Sequence, residues 1–137
     1  PLNDDEYNTF YQVLISLNYY FANLFYNKHI EFELDIDESL KERKSTCETS
    51  QLLLALKLIT QVAINTVNLE QSKLVITLSD DAGKTLITLS DNRDLSVIND
   101  QKMDEMLQNV ILDGLNASYS SSVIKDSDFT LKSEIAI

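Results

Sequence analysis

Glycine, proline, cysteine and histidine are scarce in this chain of 137 residues. It contains two glycines, one proline, one cysteine and one histidine, whereas 44% of its residues are hydrophobic. Disordered chains bury too little apolar surface to fold, so this composition predicts a compact domain, with residues 1–137 forming a single unit. A single cysteine excludes an internal disulfide framework and fits the reducing cytoplasm, where we expect the protein to reside.

Basic residues are also few. Eleven lysines and arginines stand against 22 aspartates and glutamates, which gives a formal net charge of −11. Nucleic acids and anionic membrane surfaces attract clustered positive charge, so we expect neither as a partner. The longest apolar stretch, residues 52–69, is interrupted by a lysine and several amides and therefore predicts a buried helix, not a membrane span. No signal peptide is visible, and because the sequence begins at Pro1 without a methionine we expect a segment of a longer protein.

Apolar residues recur at three- and four-residue spacing in three segments, which is typical of amphipathic helices. The first predicted helix spans residues 4–27, with a cap among residues 3–5. The second begins at a cap at residue 49 or 50 and runs to about residue 68. The third covers residues 103–115.

Alternating patterns predict strands in the remaining segments. Residues 30–37 alternate apolar and acidic side chains, and residues 73–91 form a hairpin that turns at Gly83. Two last strands are predicted at residues 118–124 and 129–135. The expected fold is therefore an α/β (α+β) two-layer sandwich: a mixed, largely antiparallel sheet with three helices on one face and a polar opposite face.

This order of elements resembles the Bergerat-fold ATP-binding domain of the GHKL superfamily, which includes sensor histidine kinases. In that family the second hairpin strand ends in Asp-x-Gly-x-Gly, and a later Gly-x-Gly precedes the next helix. Here Leu-Ser-Asp-Asn-Arg at residues 89–93 keeps the aspartate as Asp91 but lacks the glycines, and residues 100–104 contain none either. Residues 128–132 resemble the family's final strand. The glycines let the backbone approach phosphate oxygens, so their loss predicts a domain without phosphate-binding loops.

The resemblance assigns three vestigial positions of a nucleotide site. Asp91 matches the aspartate that contacts the adenine amino group. Residues 61–66 are similar to the Asn-box of the long helix, with Asn65 at the position of the Mg²⁺ ligand and Gln61 in place of the usual acid or asparagine. Because Mg²⁺ usually needs substrate phosphates as co-ligands, we expect no catalytic residue, no metal and no cofactor in this chain.

A GHKL-like layout without glycine boxes and with a short lid resembles the histidine phosphotransferases of the ChpT type. That resemblance implies a domain without ATP binding or catalysis of its own, in a bacterial two-component phosphorelay. It also implies contact with the receiver domain of a response regulator, and a homodimer formed through a helical hairpin outside this chain. Two alternatives stay open: a divergent histidine kinase domain that still binds ATP, and an unrelated α/β interaction module.

Tyrosines are concentrated in the first predicted helix. Tyr7, Tyr11, Tyr19 and Tyr26 fall largely off its inward apolar stripe. Tyrosine is enriched at interfaces, where one end of the ring is dry and the other is wet. We therefore predict that this face contacts a partner, either the missing helical hairpin or a second subunit. The alternative is that the rings lie flat along the sheet edge with wet hydroxyls.

The single histidine and the single cysteine are weaker candidates for chemistry. His29 directly precedes a strand, where a residue ending the first helix is expected rather than an exposed phosphoryl carrier on a helix. Cys47 has no histidine or second cysteine near it in sequence, which favours an ordinary thiol over a nucleophile.

Overall fold

The computed structural model describes residues 9–66, 72–93, 105–106, 108–110, 114–124 and 129–137. Its elements in chain order are α1 (Phe10–Asn27), β1 (Glu31–Ile36), a short 3₁₀ helix (Glu38–Leu40), α2 (Thr49–Thr66), β2 (Lys73–Asp81), β3 (Lys84–Asp91), β4 (Ser118–Val123) and β5 (Leu131–Ala136). Residues 105–106 and 108–110 are also helical, within the third predicted helix.

The five strands form one sheet in the order β1-β2-β3-β5-β4. β1 runs parallel to β2, and all other neighbouring pairs are antiparallel. β2 lies between β1 and β3, and its alternate residues Leu74, Ile76 and Leu78 are fully buried, while the residues between them are half-buried. The mixed, largely antiparallel sheet with one covered face is thus confirmed.

The two long helices bury the predicted apolar stripes against the sheet. Both stripes belong to one hydrophobic core with the inward residues of the strands. Burying a large apolar side chain contributes about 1.5–3 kcal/mol. The buried helix residues are Phe10, Val13, Leu14, Leu17, Phe21 and Phe25 of α1 and Leu52, Ala55, Leu56, Ile59, Ala63 and Ile64 of α2.

The start of α1 differs from the prediction. Thr9 has extended backbone angles and pairs with Lys44, so the helix cannot run through it from residue 4. The Thr9 hydroxyl accepts the backbone N–H of Gln12, and the Gln12 side chain accepts the backbone N–H of Thr9. This reciprocal capping box sets the N-terminus of the helix, with Thr9 as the capping residue and the buried Phe10 as the first helical residue. Asn3, Asp4 and Asp5 are therefore not its cap, and they lie outside the described residues.

His29 ends α1 in a left-handed conformation, with φ of 54°. Its backbone N–H donates to the carbonyl of Tyr26, and that of Ile30 donates to the carbonyl of Phe25. These two bonds define a Schellman motif, whose left-handed position usually holds glycine. The expectation of a helix-end residue is confirmed, and the motif turns the chain directly into β1.

The start of α2 is also displaced slightly from the prediction. The carbonyl of Glu48 accepts the backbone N–H of Leu52, which makes Glu48 the capping residue instead of residue 49 or 50. The Ser50 hydroxyl donates to the Glu48 carboxylate, so this side chain is held at the helix start. The helix is described to Thr66, and the predicted end near residue 68 lies outside the described residues.

The β2–β3 hairpin closes through two residues. Ala82 and Gly83 both have positive φ, of 51° and 90°, and Asp81 pairs with Lys84 across the turn. Two positive φ values define a type I′ turn, which matches the right-handed twist of the strands. Alanine is a poor residue for the first of these positions because its Cβ is crowded there.

The Ala82→Asn substitution should therefore raise the free energy of unfolding by about 0.5–1 kcal/mol, because asparagine tolerates the left-handed region and Asn-Gly favours this turn. Urea denaturation followed by circular dichroism measures the change. Ala22→Asn, at an exposed helical position, is the matched control and should destabilise by about 0.5 kcal/mol. Equal effects of the two substitutions would contradict the turn assignment.

Candidate functional site

Asp91 is the last residue of β3 and has no exposed surface. Its register partners are Leu74 on β2 and Leu131 on β5, and both are buried. Strand alternation places the Asp91 side chain on the same face as Leu89 and Ile87, which is the core face. A carboxylate in such an apolar setting is costly unless a counter-charge and hydrogen bonds compensate it.

Arg93 supplies that compensation two residues further along the chain. Its Nε–H donates to Oδ1 of Asp91 at 2.8 Å, and its Nη2 donates to Oδ2. Its backbone N–H also donates to Oδ1, at 3.1 Å. The Arg93 side chain is itself only 5% exposed. Both oxygens of the carboxylate are thus held by one guanidinium, the bidentate geometry in which such pairs are strongest.

Neighbouring strands fix the backbone of this pair. The Thr130 backbone N–H donates to the carbonyl of Asp91 at 2.8 Å, and the Thr130 hydroxyl donates to the carbonyl of Arg93 at 2.7 Å. The Asn92 side chain accepts the backbone N–H of Lys73 at 3.0 Å. Residues 91–93 are therefore attached to both flanking strands, and the guanidinium is positioned by a rigid backbone.

The resemblance assigns Asp91 to the adenine amino group, and Arg93 stands where the family motif has a glycine. The guanidinium presents N–H donors to this carboxylate, as an amino group of a base would. Sequence reasoning treated Arg93 as a lost glycine and missed its pairing, although a charge two residues along a strand end can share a face with Asp91.

Gln61 and Asn65 contact each other on the solvent-exposed surface of α2. Both are exposed on α2, and the Gln61 amide donates to Oδ1 of Asn65 at 3.0 Å, four residues along the helix. Amide oxygen is the atom with which asparagine binds Mg²⁺, so this bond engages the metal-binding atom. The hydrogen bonds of Asp91 run to Arg93 and Thr130 and join it to neither of the two amides.

One small cavity lies between α2 and the sheet. Its volume is about 10 Å³, which is room for roughly one water. The cavity is lined by Leu56, Ile59, Thr60, Ile76, Ile87, Leu89, Ser133 and Ile135.

The predicted tyrosine face is only partly described. Tyr19 is 80% exposed and Tyr26 is 82% exposed, whereas Tyr11 is half-buried, with the Lys41 ammonium 5.4 Å from its ring centre. Tyr7 lies outside the described residues. Sequence reasoning left out Tyr20, which is also exposed and lies 4.0 Å from the Lys57 ammonium, a cation–π contact that the sequence spacing did not reveal.

Cys47 and the possible metal ligands were the remaining candidates. Burial raises the pKa of the Cys47 thiol, while a hydrogen bond with Ser45 opposes that shift. The thiol is therefore less ionised than a free cysteine, contrary to what a nucleophile needs. Among the residues that the structure describes, no three histidine, cysteine or acidic side chains converge as metal ligands. No helix in the same residues has the length and apolarity to cross a membrane.

Comparison with solved structures identifies the fold of this chain. No protein-family model matches the chain, and no curated protein matches it. Among solved structures, the nucleotide-free catalytic domain of histidine kinase ThkA aligns with TM-score 0.77 and 12% identity, over 95% of this chain and 93% of that one. Histidine kinase AdeS of Acinetobacter baumannii aligns with TM-score 0.74 and 15% identity, over 96% of this chain and 66% of that one.

A third structure contains ThkA in complex with the response regulator protein TrrA. It aligns with TM-score 0.75 and 13% identity, over 95% of this chain and 40% of that one. At these identities the likeness establishes the fold. The chain has the fold of histidine kinase catalytic domains, the GHKL-like fold that the order of elements resembled.

The buried pair should be strongly coupled. Arg93→Met leaves an unpaired buried carboxylate and should lower the free energy of unfolding by about 3 kcal/mol or more. The double variant Asp91→Leu with Arg93→Met should lose less than the sum of its two single changes, since it leaves neither charge unpaired. Denaturant unfolding of the four proteins measures the coupling.

Arg43 and Asp80 form the matched control, an Arg–Asp pair at 2.9 Å whose side chains are about one third exposed. Solvent screens this pair, so Arg43→Met should cost about 1 kcal/mol or less. Similar losses from Arg43→Met and Arg93→Met would show that Asp91 and Arg93 are not the buried, coupled pair described above.

Proposed function

We propose that this chain is a histidine kinase-like domain that has lost ATP binding and serves a histidine phosphotransferase of a bacterial two-component phosphorelay. Its role is positional: it supports a dimer and offers a surface to the receiver domain of a response regulator. The phosphoryl group is carried by a histidine outside this chain and received by an aspartate of the partner. The chain itself contributes no catalytic residue.

The Asp91–Arg93 pair is the main observation that supports the proposed loss of ATP binding. In the family that the chain resembles, this aspartate recognises the base. Here its two oxygens are held by the guanidinium of Arg93, and both side chains are buried. Displacing the guanidinium would leave a buried arginine without its partner, a cost that binding of a base would have to exceed.

The sequence supports the same proposal at the phosphate end. Residues 94–104 contain no glycine and carry Asp94, Asp100 and Asp104. Glycine-rich loops hold phosphates with backbone N–H groups, and carboxylates repel a triphosphate. Base and phosphate recognition are thus both disfavoured, by different residues.

Response-regulator docking is supported by fold likeness. ThkA, which shares this fold, is seen in complex with TrrA. The proposal also assigns a contact role to the tyrosine face of α1, of which Tyr19 and Tyr26 are the most exposed members. Tyrosine rings at this exposure supply contact area to a partner and keep their hydroxyls hydrated.

The second candidate function is a divergent histidine kinase domain that still binds ATP. The presence of Asp91 and Asn65 at the family's positions favours it. The two proposals make opposite predictions about nucleotide, so one titration separates them.

Titration of the purified chain with Mg²⁺-ATP should give no saturable heat at millimolar nucleotide and no rise in melting temperature. A ligand at 100 times its dissociation constant would stabilise the fold by about 2.7 kcal/mol, which is readily detected. Saturable binding that disappears in Asp91→Asn would overturn the proposal in favour of the kinase alternative. Arg93→Gly, which restores the family's glycine, is the companion variant, and any gain of nucleotide binding in it identifies the arginine as the obstacle.

A further inference from the structure

We draw no further inference here: the strongest candidate, the exposed aromatic patch of Tyr19, Tyr20 and Tyr26 on the outer side of α1, carries none because nothing in the described part of the chain shows what covers it.

Discussion

A buried carboxylate that must be neutralised organises the end of the central hairpin. Asp91 lies between two leucines of the neighbouring strands on the core face of the sheet, where an unpaired charge would be too costly. Arg93 returns over it, and Thr130 and the backbone of Lys73 hold the intervening chain. The conformation of residues 91–93 therefore meets this single need.

Under the proposed loss of ATP binding, the same interaction accounts for a histidine kinase-like fold that persists without a nucleotide. The resemblance implies that the aspartate binds a ligand in ATP-binding members of the family. In this chain Arg93 donates hydrogen bonds to both oxygens of Asp91.

Charge is unevenly distributed along the sequence. The two long helices carry one lysine and no carboxylate, so all 22 acidic residues lie elsewhere in the chain. Tyr19 and Tyr26 are exposed on α1. Tyrosine rings supply contact area at low entropic cost, since each has few rotatable bonds.

The sequence alone determined the element order, the strand alternation and the apolar stripes, because these depend on local periodicity that burial against any core would satisfy. The resemblance placed Asp91, Asn65 and Gln61 at family positions, and that assignment stays a prediction. Sequence reasoning missed the start of α1, because the capping box of Thr9 and Gln12 competed with acidic residues that also suit a helix start. Only the tertiary structure decided that Arg93 is the partner of Asp91 and that Tyr19 and Tyr26 are exposed. The pairing and the burial of a side chain depend on contacts between strands and helices that are far apart in the sequence. Such contacts produce no periodic pattern from which they could be predicted.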